Sequence, residues 1–175
     1  TAVILATGGI GLVRAAYSSG KPAYGVGPGN VPVYVHSSAD TARAVKDVIA
    51  GKTFDFGTLC SSEQALVYDA SIKEMVMKSL DAERVHVLSL EETARIARFV
   101  IGERGLVNAR AVGRSAEVLA EASGFKVASG TRALAARVQG VGRDHPLSAE
   151  KLCPVIALYE VSGPDEGILR CQELL

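Results

Sequence analysis

Short apolar runs alternate with amphipathic stretches along the whole chain. Residues 3–6 form an unbroken apolar run, which predicts a buried strand. In residues 9–19, Ile10, Val13, Ala16 and Tyr17 recur on one helical face, and Gly20 supplies a stop. Val31–Val35 is rich in β-branched residues and predicts a second strand. Ser38 or Asp40 can cap a helix running to about Thr53, with Val45, Val48 and Ile49 as its apolar stripe. Residues 65–68 predict a strand, and residues 70–80 an amphipathic helix. Ser89-Leu90-Glu91-Glu92 has the spacing at which a hydroxyl and a carboxylate cap each other's backbone N–H groups, and starts a helix through Val100. Residues 115–123 predict a helix closed by Gly124. Residues 133–138 and Val155–Val161 predict two further strands, and Gly163-Pro164-Asp165 opens a last helix. Strands that alternate with helices are joined by crossovers, so the expected class is α/β with a mostly parallel sheet.

Composition narrows the function classes. With 175 residues the chain can bury one substantial core. Its 19 basic and 19 acidic residues cancel, which gives no electrostatic footprint for nucleic acid or a membrane surface. No apolar run approaches the roughly 20 residues that span a bilayer. Three widely spaced cysteines make no disulfide framework, and no Cys-x-x-Cys or Cys/His cluster suggests a metal site. The chain starts on an apolar run without Met and stops inside a helical pattern, so an internal fragment of a longer protein is expected.

Candidate chemistry centres on Cys60. It follows a helix and a loop containing Gly57, and it precedes an apolar strand. A thiol there can be fixed yet reachable, as a nucleophile must be, because the thiolate is the reactive form. The same spacing also suits a small buried hydrophobe, the commoner fate of a single cysteine. Lys52 would favour the thiolate if it points inward, while Glu63 and Gln64 read as residues that order the loop. Thr7-Gly8-Gly9 falls between a strand and a helix, where free N–H groups favour phosphate, although an ordinary turn reads the same way. In Gly25-Val26-Gly27-Pro28-Gly29 the third glycine comes one residue early for the dinucleotide fingerprint, so this stretch reads as a tight crossing. Cys153 and Cys171 read as packing residues, and His36, His86 and His145 as isolated structural ones.

Four blocks carry a family resemblance in the same order over nearly the whole chain. Lys52-Thr53-Phe54-Asp55-Phe56-Gly57-Thr58-Leu59-Cys60-Ser61-Ser62-Glu63-Gln64 resembles the active-site region of the CoA-acylating aldehyde dehydrogenases. Ala6-Thr7-Gly8-Gly9 with the following Val13-to-Ala23 stretch, Gly25-to-Asn30, and His145-to-Val155 resemble further blocks of that family. The resemblance implies an aldehyde-dehydrogenase-like catalytic domain over 33–175, truncated at its C-terminal end, preceded in 1–32 by the tail of a Rossmann-type cofactor domain. It implies that Cys60 is the nucleophile, that Thr7, Gly8 and Gly9 contact the dinucleotide pyrophosphate, and that Glu150 accepts hydrogen bonds from a cofactor ribose. For Glu150 the plain alternative is a solvated surface carboxylate beside Lys151.

The implied reaction interconverts a short-chain aldehyde and its acyl-CoA, with NAD or NADP as cofactor and coenzyme A as co-substrate. Cys60 would form a thiohemiacetal and then a thioester, helped by an oxyanion-binding Asn upstream of this chain. The 175 residues alone are therefore expected to be inactive. Hydrolytic relatives carry a Glu base where this chain has Gly25, and no carboxylate lies between Arg14 and Asp40, which suits a thiol acceptor rather than water. Leu152 stands where many relatives carry an aromatic ring. The resemblance also implies a cytoplasmic homo-oligomer, with association to a bacterial microcompartment as an option. The rivals are a hydrolytic aldehyde dehydrogenase, a superfamily relative acting on a phosphorylated substrate, and a non-enzymatic scaffold.

Overall fold

Five parallel strands and the helices that join them absorb most of the apolar runs. The computed structural model describes residues 1–102 and 105–175. The first unit is small: strand β1 (Ile4–Thr7), helix α1 (Ile10–Tyr17) and strand β2 (Ala23–Val26), with β1 and β2 paired in parallel. Strand β2 is not predicted by the sequence, because Gly25 interrupts its pattern; parallel pairing with β1 holds it extended.

The second unit holds strands β3 (Val31–Val35), β4 (Glu63–Asp69), β5 (Val85–Val87), β6 (Ala133–Arg137) and β7 (Val155–Val161). Its helices are α2 (Thr41–Thr53), α3 (Lys73–Ala82), α4 (Leu90–Val100), α5 (Ala116–Ala122) and α6 (Pro164–Leu174). Strand order across the sheet is β3-β4-β7-β6-β5, and every pairing is parallel. Pro32 has no N–H to give and sits on the edge strand β3, where that is tolerated. Strand β5 also escapes the sequence pattern, since it is only three residues long with His86 at its centre; His86 Nε2 lies 3.3 Å from Glu92 Oε2.

Both sheet faces are covered, which is why the strands read as continuous apolar runs. Leu66 and Tyr68 of β4, with Ala133, Ala135, Ile156 and Leu158, pack on one face against Val45, Val48 and Ile49 of α2 and Val76 and Leu80 of α3. On the other face, Leu134, Ala136 and Val155 meet Ile96 and Val100 of α4 and Leu119 of α5. Ala65, Val67, Ala157 and Tyr159 meet Leu174 of α6 on that same side. A Cβ at Gly167 would lie 2.5 Å from the Tyr34 ring, so this glycine lets α6 come down onto β3.

The helix starts follow their predicted chemistry. Asp40 caps α2, its Oδ1 accepting from Arg43 N at 3.1 Å. Ser89 and Glu92 form the reciprocal cap of α4, with Glu92 N donating to Ser89 Oγ and Ser89 N donating to Glu92 Oε2.

The sheet order decides what happens at its edge. Strand β4 lies between β3 and β7, so the three segments that lead into these strands arrive side by side. They are residues 27–30, 57–62 and 148–154. They contain Gly29, Cys60 and Glu150.

Candidate active site

The backbone before Cys60 is bent into an uncommon shape. Asp55 (φ 45°) and Phe56 (φ 53°) are both left-handed, and Gly57 follows at φ 74°. Non-glycine residues in this region are strained, typically by about 1–3 kcal/mol each, and persist where surrounding structure imposes them. The surroundings here are tight: a Cβ on Gly57 would lie 2.9 Å from the backbone of Cys153 and of Lys52. The Thr58 hydroxyl, 2.7 Å from Asp55 Oδ2, closes the bend. Ser62 N then donates to Leu59 O at 3.0 Å, a turn that spans Cys60 and leaves it exposed. Phe54, Phe56 and Leu59 are also exposed and give the turn an apolar rim.

Gly29 joins this turn to Glu150. A Cβ on Gly29 would sit 3.0 Å from Cys60 O, so only glycine fits against the Cys60 backbone without pushing it. The Gly29 N–H faces the Glu150 carboxyl and favours its charged form. Burial pushes the Glu150 carboxyl up, while Lys52, the Gly29 N–H and Lys151 pull the other way. Glu150 is half-buried, with Gly29 between it and the Cys60 turn.

Beneath the turn lies a polar cluster that the sequence does not announce. Lys52, Gln64 and Lys151 are each 0% exposed. Gln64 Oε1 accepts from Lys52 Nζ at 3.0 Å and from Lys151 N at 3.1 Å. Gln64 Nε2 donates to Ser62 O at 3.1 Å. Lys151 Nζ donates to the carbonyls of Leu147 at 2.8 Å and Ala149 at 2.7 Å. Burial lowers the Lys52 ammonium from its ordinary 10.5 to about 8, opposed by Cys153, Glu63 and Glu150. Burial drives Lys151 well below its ordinary value, and the charge on Lys52 drives it further. One signal was available for Lys52: with Val45, Val48 and Ile49 it completes the inward helical stripe of α2. Lys151 has no comparable periodic signal.

The remaining sequence candidates divide. Thr7 ends β1 and Gly9 precedes α1, so Thr7–Gly9 forms the expected strand-to-helix turn, in the two-stranded unit apart from Cys60 and Glu150. No side chain caps α1, no acidic residue lies in its first turn, and a Cβ at Gly9 would meet nothing within 4 Å. Cys153 is buried and its thiol is pushed up to about 11 by burial; Cys171 is half-buried against the α6 side of the core. His36 Nδ1 is 2.8 Å from Ser38 Oγ, and the His145 ring fills the space a Cβ on Gly140 would take. Among the described residues no three His, Cys, Asp or Glu gather as metal ligands. No described helix is long and apolar enough to cross a membrane.

Gly25 lies against α1. A Cβ there would be 2.6 Å from Val13 Cγ1 and 3.0 Å from the Tyr17 ring. Position 25 faces α1, and its N–H donates to Tyr17 Oη at 3.0 Å. The glycine that touches the Cys60 loop is Gly29.

No family model matches the chain. It is 40% identical to an aldehyde-alcohol dehydrogenase of Streptococcus pneumoniae over 99% of this chain and 21% of that relative. An acetylating aldehyde dehydrogenase of Geobacillus thermoglucosidasius superposes with a TM-score of 0.97 at 51% identity, over 100% of this chain and 38% of that structure. A propionaldehyde dehydrogenase of Rhodopseudomonas palustris, solved with bound propionyl-CoA, superposes with a TM-score of 0.89 at 27% identity, over 99% of this chain and 38% of that one. The chain thus spans well under half the length of the proteins it matches.

Proposed function

We propose that this chain, similar over its whole length to acylating aldehyde dehydrogenases, belongs to that family and carries the nucleophile of an enzyme interconverting a short-chain aldehyde and its acyl-CoA with a nicotinamide dinucleotide. The observation that carries the proposal is the exposed Cys60, seated in a strained turn against Gly29 and beside Glu150.

The chemistry follows from that placement. The Cys60 thiolate adds to the aldehyde carbonyl, forming a C–S bond and an alkoxide. The alkoxide collapses as its carbon loses hydride, leaving an acyl thioester on Cys60. A nicotinamide dinucleotide held by Glu150 and the start of α1 would supply the hydride acceptor. A CoA thiolate then attacks the thioester carbonyl, forms the new acyl–S bond and returns Cys60 as thiolate. The donors present fit such a cofactor: Glu150 offers an acceptor for ribose hydroxyls, and the uncapped start of α1 at Gly9 offers open N–H groups for phosphate. The apolar rim of Phe54, Phe56 and Leu59 would seat a short acyl chain and exclude water. The division at residues 30–33 between cofactor and catalytic parts is part of the same proposal, and the change of sheet between β2 and β3 supports it.

The test is Cys60→Ala in a full-length protein carrying this chain. It is expected to abolish acyl-CoA formation while cofactor binding persists, as read by acyl-CoA analysis and by cofactor titration. Ordinary turnover in Cys60→Ala would assign the nucleophile elsewhere.

A further inference from the structure

We propose that Gln64 is a positioning residue that locks the Cys60 turn to the Glu150 segment, a role that rests on Cys60 and Glu150 acting as described above. Gln64 lies near the N-terminal end of the inner strand β4, and by strand alternation it shares a face with Leu66 and Tyr68, both core residues. An apolar side chain would satisfy that position. A wholly buried carboxamide stands there instead, and three polar partners converge on it.

The chemistry of those partners fixes which way the amide points. Lys52 Nζ and Lys151 N only donate, so both must meet the oxygen; Ser62 O only accepts, so it must meet the NH2. Each contact holds a different part of the site. Ser62 lies two residues after Cys60 and carries the far side of the turn. Lys151 directly follows Glu150, and its ammonium is tied to the carbonyls of Leu147 and Ala149, which stiffens that segment. Lys52 lies in the last turn of α2, just before the strained bend. One side chain therefore sets the offset between the thiol loop and the carboxylate proposed to hold the ribose. Hydride transfer depends on that offset, and a misplacement of about 1 Å can cost about a hundredfold in rate. A buried Lys–Gln contact is a poor device for stability alone, since an apolar pair of similar volume often does as well or better.

Two substitutions separate the two halves of the clamp. Gln64→Glu keeps oxygens facing Lys52 and Lys151 but loses the donor to Ser62. Gln64→Met loses every contact at similar volume. In a full-length protein carrying this chain, Gln64→Glu is expected to slow the single-turnover burst of reduced cofactor about ten- to a hundredfold with cofactor KM within about threefold of wild type. Gln64→Met is expected to slow the burst similarly and also to raise cofactor KM about tenfold or more. Alkylation of Cys60 by iodoacetamide without cofactor should stay within about twofold in both, because a small reagent needs no alignment. Loss of a merely structural contact would lower the melting temperature without this split. Both variants within about threefold of wild type in burst rate and cofactor KM would overturn the proposal, as would equal effects on KM in both. If Gln64→Met does not fold, Gln64→Glu alone carries the test through its rate-without-KM signature. Cys60→Ala run in parallel keeps the failures apart: a surviving burst there removes the nucleophile assignment, whereas a lost burst with unsplit Gln64 variants removes only the clamp.

Discussion

Lys52 is where stability and site geometry conflict most sharply. Its ammonium is fully buried, and burial lowers its pKa from 10.5 to about 8. Below pH 8 the group is charged in both folded and unfolded chains, so the burial penalty is fully present. Between about 8 and 10.5 the unfolded chain still holds a proton that the folded chain has released, so stability rises with pH across that window. Replacing Lys52 with Met should therefore stabilise the protein at pH 7, and the gain should shrink toward pH 10.5. Denaturant melts at several pH values check this; a gain that grew with pH would contradict the direction of the shift. The Cys153 thiol, held up to about 11, acts in the opposite sense at alkaline pH; Lys52 pulls that thiol down, so in Lys52→Met it is held higher still, which shrinks the gain at alkaline pH further. The same Lys52→Met change removes one donor from Gln64 and should slow turnover, a stabilised but less active protein. Gly57 gives a simpler case. Alanine there would have to hold φ 74° with its Cβ 2.9 Å from two backbones, so Gly57→Ala should cost about 1–3 kcal/mol in a denaturant melt and displace Cys60.

Among the elements, legibility tracked periodicity and local chemistry. Helix α2 was visible from Asp40 and from Val45, Val48 and Ile49, and α4 from the Ser89–Glu92 cap. These signals are local, because a helix satisfies its own backbone and its caps lie within one turn. Strands β2 and β5 were not visible. Their residues pair with partners far along the chain, β2 with β1 across a helix and β5 with β6 across two. Gly25 and His86 break the apolar pattern in each, and tertiary pairing overrides the local preference. Lys52 illustrates the limit within a helix. Its place on the inward stripe could be counted, but that a lysine would accept such a place depends on Gln64 arriving from β4.

At the scale of the whole molecule, alternation of strands and helices implied a parallel sheet but not its order. Only the order β3-β4-β7 brings Gly29, Cys60 and Glu150 to one edge, and no local pattern encodes it. Cys60 and Glu150 were legible as candidates through family resemblance, while the clamp between them was not. The assembled edge also bears on the acceptor. The sequence argument placed a missing base at Gly25, but that position faces Val13 and Tyr17. A Gly25→Glu side chain would press into α1 and is expected to disturb the β1–β2 unit without restoring hydrolysis. Of the carboxylates near Cys60 along the chain, Asp55 is hydrogen-bonded to the Thr58 hydroxyl, and Glu63 Oε2 is buried without a hydrogen-bond partner, so neither stands free beside the thiol. Water attacking a thioester needs a base, whereas a CoA thiol supplies a far better nucleophile near neutral pH. A full-length protein carrying this chain should therefore release about one reduced cofactor per site without CoA and then stall, with acyl-enzyme accumulating. Adding CoA should restore steady turnover and yield acyl-CoA. Free carboxylic acid released at the same steady rate with and without CoA would make water the acceptor and the enzyme hydrolytic.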